Sequence, residues 1–240
     1  MPHYLLPIIF IVLLVIYYLG YITGVAMVKQ KANLDTNTLI NSIILAASGT
    51  AAVLLFSPYV ATMVLCLMFL FALCLGADYA DFTLPDLCTS GIVIAGIAMS
   101  TSTSALLHST DAAIGGRAFL AGGILESIGG AVFGFVAMLT LAKLASLAYK
   151  KEAMGGGDIK FMAGIGAVFG WQSTIFVLVF GAIFGLIISF IGRFSQSEEK
   201  PEVPFGPPMI YAAIVWIFGG YHLANNIAER VALITSTILK

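Results

Sequence analysis

Long apolar stretches broken by short polar ones dominate this chain, and their lengths set the first expectation. Tyr4 to Met27 runs for about 24 residues without a charge, enough for one helix to cross a ~30 Å hydrocarbon core. The pattern then repeats: Leu39 to Phe56, Tyr59 to Ala77 after a Ser57-Pro58 turn, Leu87 to Leu107, and Ala118 to Leu141 with a helical continuation to Tyr149. A short stretch follows from Ile159 to Trp171, then Thr174 to Ile191 and Phe205 to Gly220. The tail from Leu223 to Lys240 carries Glu229 and Arg230 in mid-segment and reads as an amphipathic interfacial helix, not a ninth span. The expectation is an all-α polytopic membrane bundle of about eight transmembrane helices with no sizeable soluble domain. It divides into a two-span N-terminal segment with a short cytoplasmic loop (1–58), a membrane core (59–220) and the C-terminal tail (221–240).

Composition agrees with that class. Of 240 residues, 60% are hydrophobic and 10% charged, where an ordinary soluble domain is about 25% charged. The net charge of −1 and the lack of any Lys/Arg run give no sign of a nucleic-acid partner. Cys66, Cys74 and Cys88 form no Cys-x-x-Cys pair, so neither a zinc site nor a disulfide framework is indicated, and buried structural thiols are expected. No basic region precedes the first apolar run, which therefore reads as a span and not as a cleavable signal.

Basic residues orient the bundle. With Lys29 and Lys31 in the cytoplasm after an inward-running first span, strict alternation also places Lys143, Lys150, Lys151, Lys160, Arg193 and Lys200 inside. That is eight of the 11 Lys and Arg, with Arg117, Arg230 and Lys240 as the exceptions. Asp78, at the end of the third span, and Asp158, at the start of the sixth, then share the cytoplasmic face. The sixth stretch is short, about 20 Å as a helix. A brief crossing with local bilayer thinning is preferred to a re-entrant segment, which would turn Arg193 and Lys200 outward.

Small residues recur at four-residue spacing where spans must pack: Gly123/Ser127/Ala131 and Gly130/Gly134, then Gly166/Gly170, then Gly181/Gly185. In lipid such faces let helix backbones approach closely.

The acids carry the candidate chemistry. Asp158 follows Gly155, Gly156 and Gly157, which admit backbone angles closed to other residues and leave room for a substrate backbone. It stands at a helix N-terminus, where the dipole favours charge, whereas Asp78 stands at a helix C-terminus, where it does not. If the two share a site, Asp158 is the ionised base and Asp78 the protonated acid of a dyad that activates water. Each acid alone has a plainer reading: Asp158 as a helix N-cap and Asp78 as a solvated helix end. Asp81 and Asp86 read as interface acids, Asp86 being placed to cap the fourth span. Lys160 either steadies the Asp158 carboxylate or anchors a short helix at the headgroups. Glu126, two turns into the fifth span, is a functional candidate as an intramembrane acid, and pairing with a polar neighbour accounts for it equally well.

Asp78, Leu84-Pro85-Asp86, the basic stretch and Met154-Gly155-Gly156-Gly157-Asp158-Ile159-Lys160 together resemble the type IV prepilin peptidase family, membrane aspartyl proteases of the GxGD kind. Pro204-Phe205-Gly206-Pro207 is similar to a further family segment. The resemblance runs from Val64 to Tyr211. It makes 59–220 a peptidase core with Asp78 and Asp158 as the catalytic pair. It further implies cleavage of basic leader peptides from prepilins or pseudopilins, whose hydrophobic N-terminal helix enters the bilayer, at the cytoplasmic face of the inner membrane. Type IV pilus assembly and type II secretion are the contexts of such enzymes, and the peptidase step calls for no metal or cofactor. Many bacterial members carry a cytoplasmic domain with two Cys-x-x-Cys pairs after the first span and methylate the new N-terminus with S-adenosylmethionine. Here that region is only Val28 to Thr38, so methylation is left open. An archaeal preflagellin-type peptidase and a non-enzymatic transporter using the acids as ion or proton sites are the rival readings.

Overall fold

A computed structural model of the chain describes residues 5–28, 36–81, 84–107, 119–150, 154–192 and 205–238. Lys29, Lys31, Arg117, Lys151, Arg193, Lys200, Pro204 and Lys240, all used in the sequence reading, lie outside them. Among the described residues the protein is all helix: α1 (Leu5–Met27), α2 (Thr36–Leu55), α3 (Pro58–Asp81), α4 (Asp86–Leu107), α5 (Ile124–Tyr149), α6 (Gly156–Phe169), α7 (Trp171–Gly192), α8 (Gly206–Val215) and α9 (Tyr221–Ile238). A π-helical turn, Trp216–Gly220, joins α8 to α9.

Each expected span contains a helix, the eighth being α8 together with the π-helical turn. Five of them (in α1, α2, α3, α5 and α7) are long and apolar enough to cross a membrane. They turn unpartnered apolar side chains outward, as Ile8, Ile11, Val12, Val15 and Leu19 of α1 do, which in a bilayer meets lipid. α6 has 14 residues and α8 has 10, and most of their side chains are covered by neighbouring helices. Their apolar character thus serves the protein core.

The fifth span starts later than expected. Residues 119–123 are not α-helical: Ala121 N–H bonds the Val168 carbonyl at 3.0 Å, and Trp216 Nε1 bonds the Phe119 carbonyl at 3.0 Å. These tertiary bonds satisfy backbone groups that a helix would otherwise have used. Glu126 consequently sits in the first turn of α5, exposed, and accepts the Gly122 N–H at 2.7 Å. That is a helix-start role, and no polar side chain inside the bundle is needed to explain it.

The small-residue faces pack as expected between α5 and α6. A Cβ on Gly130 would lie 2.2 Å from the Gly166 carbonyl oxygen, and one on Gly134 would lie 2.4 Å from that of Met162. Ser127 Oγ completes the seam with a 2.6 Å bond to the Ala167 carbonyl. Gly181 and Gly185 are looser, since a Cβ there would lie 3.5 and 3.7 Å from Met209 and Pro208. The closest contact outside that seam involves α1 and α3, where Gly24 meets Leu73 and Gly76 meets Tyr21 backbone to backbone. Gly20/Gly24 on α1 and Ala72/Gly76 on α3 carry the same four-residue spacing there.

α6 runs antiparallel to α5, and α7 runs antiparallel to α8, as the pairings Gly134 with Met162, Gly130 with Gly166 and Gly181 with Met209 require. α6 thus runs back along the N-terminal part of α5. The C-terminal end of α3 and the N-terminal ends of α4, α6 and α8 converge at a single end.

Candidate active site

Asp78 lies in the last turn of α3 and is 3% exposed. Its neighbours explain how so buried a carboxyl is accommodated. Gly206, the first residue of α8, donates its N–H to Asp78 Oδ2 at 3.0 Å. Pro207 and Pro208 follow, and proline has no N–H, so the start of α8 offers few free donors. The one at Gly206 is aimed at Asp78. A side chain there is impossible without movement, because a Cβ on Gly206 would lie 2.5 Å from Asp78 Oδ2. The geometry also alters the dipole reading. Asp78 ends α3, but the positive end of α8 faces it and offsets the negative end of its own helix.

Asp158 occupies the third position of α6, behind Gly155 as N-cap. The helix-capping reading is thus half right: Asp158 is not the cap residue, but its carboxylate accepts the backbone N–H of Gly155, the reach-back half of a capping box. Asp158 is half-buried, outside the five long apolar spans. Burial pushes its carboxyl up to about 6, against the pull of the Gly155 N–H.

The glycine loop works differently from the expectation. Among the described residues Gly170, at φ 84°, is the only glycine in the left-handed region, and Gly155 is ordinary extended backbone at φ −71°, ψ 149°. What the loop requires is absence of bulk at one position. A Cβ on Gly157 would lie 2.8 Å from Leu84 Cβ and 2.9 Å from the Leu84 carbonyl oxygen, whereas Gly156 has nothing within 4 Å. Leu84, just before Pro85, thus packs directly onto the start of α6. α5 is stopped by Lys150 in the left-handed conformation (φ 54°), which turns the chain toward this loop.

Asp78 and Asp158 come together here, close enough for their carboxylates to interact electrostatically. Of the other sequence candidates, Pro85, Asp86, Gly155, Gly156, Gly157, Lys160, Phe205, Gly206 and Pro207 lie at the same end of the bundle. Lys160 does not steady Asp158; its Nζ pairs with Asp86 Oδ1 at 2.6 Å. Asp86 is accordingly tied to α6 through its side chain, while also opening α4.

Sequence reasoning missed a polar chain beside the pair. Tyr79, the neighbour of Asp78, is hydrogen-bonded to Tyr211, and the Tyr211 hydroxyl donates to Asn41 Oδ1. Asn41 is 2% exposed. A polar Asn41 inside the second apolar stretch was the one signal that could have found it. An open cleft of about 550 Å³ lies between the end of α5 and the start of α6, lined by Ala142, Lys143, Ser146, Leu147, Met154 and Gly156.

Two buried or half-buried carboxyls brought together from helices far apart in sequence form an unusual centre, and comparison with known proteins gives it a context. A profile of the type IV leader peptidase family matches residues 63–190, a stretch that includes both aspartates. The chain belongs to the type IV leader peptidase family. Within that family it is similar to the prepilin leader peptidase/N-methyltransferase of Pseudomonas aeruginosa, 34% identical over 95 residues, which is 38% of this chain and 33% of the relative. It is also similar to those of Aeromonas salmonicida, 37% identical over 98 residues (38% and 33%), and Stutzerimonas stutzeri, 31% over 109 residues (45% and 38%). The matched part therefore spans 33% to 38% of each relative. No solved structure matches the chain.

Proposed function

We propose that the protein is a membrane aspartic endopeptidase that removes leader peptides from prepilins or pseudopilins, with Asp78 and Asp158 as the catalytic pair. The observation that carries this reading is the meeting of the two carboxyls at one end of a helical membrane bundle of the leader peptidase family. Two acids this close do not both ionise cheaply, so the pair holds one proton. Asp158, half-buried and bonded by the Gly155 N–H, is the ionised base at neutral pH. Asp78, the more buried, holds the proton, and the Gly206 N–H fixes the orientation of its Oδ2.

In the reaction, Asp158 takes a proton from a water as that water attacks the scissile carbonyl, and Asp78 donates its proton to the carbonyl oxygen. In collapse of the tetrahedral gem-diol, Asp158 gives its proton to the leaving amine as the C–N bond breaks, and Asp78 takes back a proton from one hydroxyl as the carbonyl re-forms, which restores both carboxyls. A substrate whose apolar helix lies in the bilayer presents its scissile peptide at the headgroup level, where a site at the end of the bundle can reach it. The distribution of Lys and Arg supports a cytoplasmic-facing site in the inner membrane.

The test is cleavage of a purified prepilin by the full chain in detergent. Loss of cleavage in Asp78→Asn and in Asp158→Asn, with folding intact, supports the assignment; retained cleavage in both variants would sink it. Including labelled S-adenosylmethionine decides the methyl transfer, since label in the mature N-terminus would assign that activity as well.

A further inference from the structure

Three sulfur atoms from three helices gather at the Asp78 end of the bundle. Cys88 Sγ, in the first turns of α4, lies 3.7 Å from Met27 Sδ at the end of α1. The thiols of Cys74, on α3, and Cys88 are hydrogen-bonded to each other. Cys74 and Cys88 are 0% and 2% exposed, while Met27 is 39% exposed. The alignment of α1 on α3 is set by backbone contact, Gly24 against Leu73 and Gly76 against Tyr21, so the sulfur positions do not depend on long, adaptable side chains alone.

We propose that Cys74, Cys88 and Met27 form a binding site for a soft monovalent metal ion, Cu(I). Two thiolates and a thioether are the donor set such an ion selects. A metal–sulfur bond of about 2.3 Å sets the sulfurs of a trigonal site about 4 Å apart, close to the Met27–Cys88 spacing. Packing alone would explain buried thiols surrounded by carbon. Three soft donors converging from separate helices are a different arrangement, and the exposed Met27 gives the ion a way in from the surface. Zn(II) fits poorly, because it takes four ligands from Cys, His and carboxylate side chains, and a thioether is not among them. Among the described residues no group of three or more His, Cys, Asp or Glu side chains is placed to supply them.

The chemistry balances without electron transfer. Cu⁺ displaces the two thiol protons to solvent, forms two Cu–thiolate bonds and one Cu–thioether bond, and leaves a complex of charge −1. That complex ties α1 to α3 and α4 one helical turn from Asp78, since Cys74 precedes it by four residues.

The experiment uses the full chain in detergent, with thiols reduced, the reductant removed and oxygen excluded. Cu(I) is supplied as its bicinchoninate complex, and its transfer to the protein is followed by loss of the chelate colour. One Cu(I) per chain is expected, with sulfur-only coordination at about 2.3 Å by X-ray absorption. Cys74→Ala and Cys88→Ala lose the site, Met27→Leu weakens it by at least about tenfold, corresponding to ~1.4 kcal/mol, and Cys66→Ala retains it. Equal uptake by wild type and by the Cys74→Ala/Cys88→Ala double variant, or no uptake by wild type, overturns the proposal. If the cysteine variants fail to fold, Met27→Leu, a volume-conserving change at a partly exposed residue, decides instead. Undiminished affinity there also overturns it.

Discussion

The backbone N–H of Gly206 donates to Asp78 Oδ2 at 3.0 Å across 128 positions of sequence. Through this bond the start of α8 becomes part of the environment of an acid that belongs to α3. It explains why a glycine stands before two prolines there. Glycine permits the approach, and the prolines leave its N–H as a free donor beside the carboxylate.

Gly206→Ala tests that relationship directly. The added methyl would sit 2.5 Å from Asp78 Oδ2, so either that carboxylate or α8 must move. We expect an overpacking cost of about 1–3 kcal/mol. Cleavage should fall by at least about tenfold as α8 or Asp78 shifts, since misplacing a catalytic group is costly. Both are read from melting in detergent and from prepilin cleavage rates.

On the proposed mechanism, Asp78→Asn and Asp158→Asn each remove one proton-transfer group. Each should lower the cleavage rate by about 10²–10⁴-fold or more. Single-turnover kinetics with saturating enzyme would separate this from weakened substrate binding.

Asp158 also predicts a pH dependence. Its carboxyl is held up at about 6, above an ordinary aspartate near 3.9. Between those values the folded state binds more protons than the unfolded one, so stability falls as pH rises from about 4 through about 6 and stays lower at neutrality. Asp158→Asn abolishes that loss. Its apparent melting temperature at pH 7.5 should exceed that of wild type by several degrees, a margin that shrinks toward pH 4. Wild-type cleavage should move in the opposite sense, rising with pH through about 6 as the base ionises.

The three loop glycines should separate by packing. Gly157→Ala pushes against Leu84 at 2.8 Å, while Gly156→Ala meets nothing within 4 Å. Near the start of a helix alanine is otherwise a good residue. Gly157→Ala should therefore lower the melting temperature, and Gly156→Ala should leave it unchanged or slightly raised.

The Lys160–Asp86 pair tells apart a structural tie and a surface decoration. Although short at 2.6 Å, its side chains are 49% and 76% exposed. Such pairs contribute about 0–1 kcal/mol. Lys160→Met should cost no more than that in a stability measurement, and the cost should shrink further in high salt.

The sequence by itself determined the segmentation of the chain, because a bilayer or an apolar core demands long uncharged helices whatever they pack against. It also singled out Asp78 and Asp158, since an acid at the edge of an apolar run stands out locally. The α5/α6 seam was legible for the same reason, a four-residue spacing of small side chains being a property of one helix at a time. The departures arose where a partner distant in sequence intervened: Phe119 and Ala121 bonded to Trp216 and Val168 in place of starting a helix, and Lys160 found Asp86 in place of Asp158. Only the tertiary structure decided that Gly206 would face Asp78, that Leu84 would press on Gly157, and that Met27, Cys74 and Cys88 would share one end of the bundle. Those contacts depend on the rotation and register of one helix against another, quantities fixed by the sum of many weak packing contacts and written in no single stretch of residues.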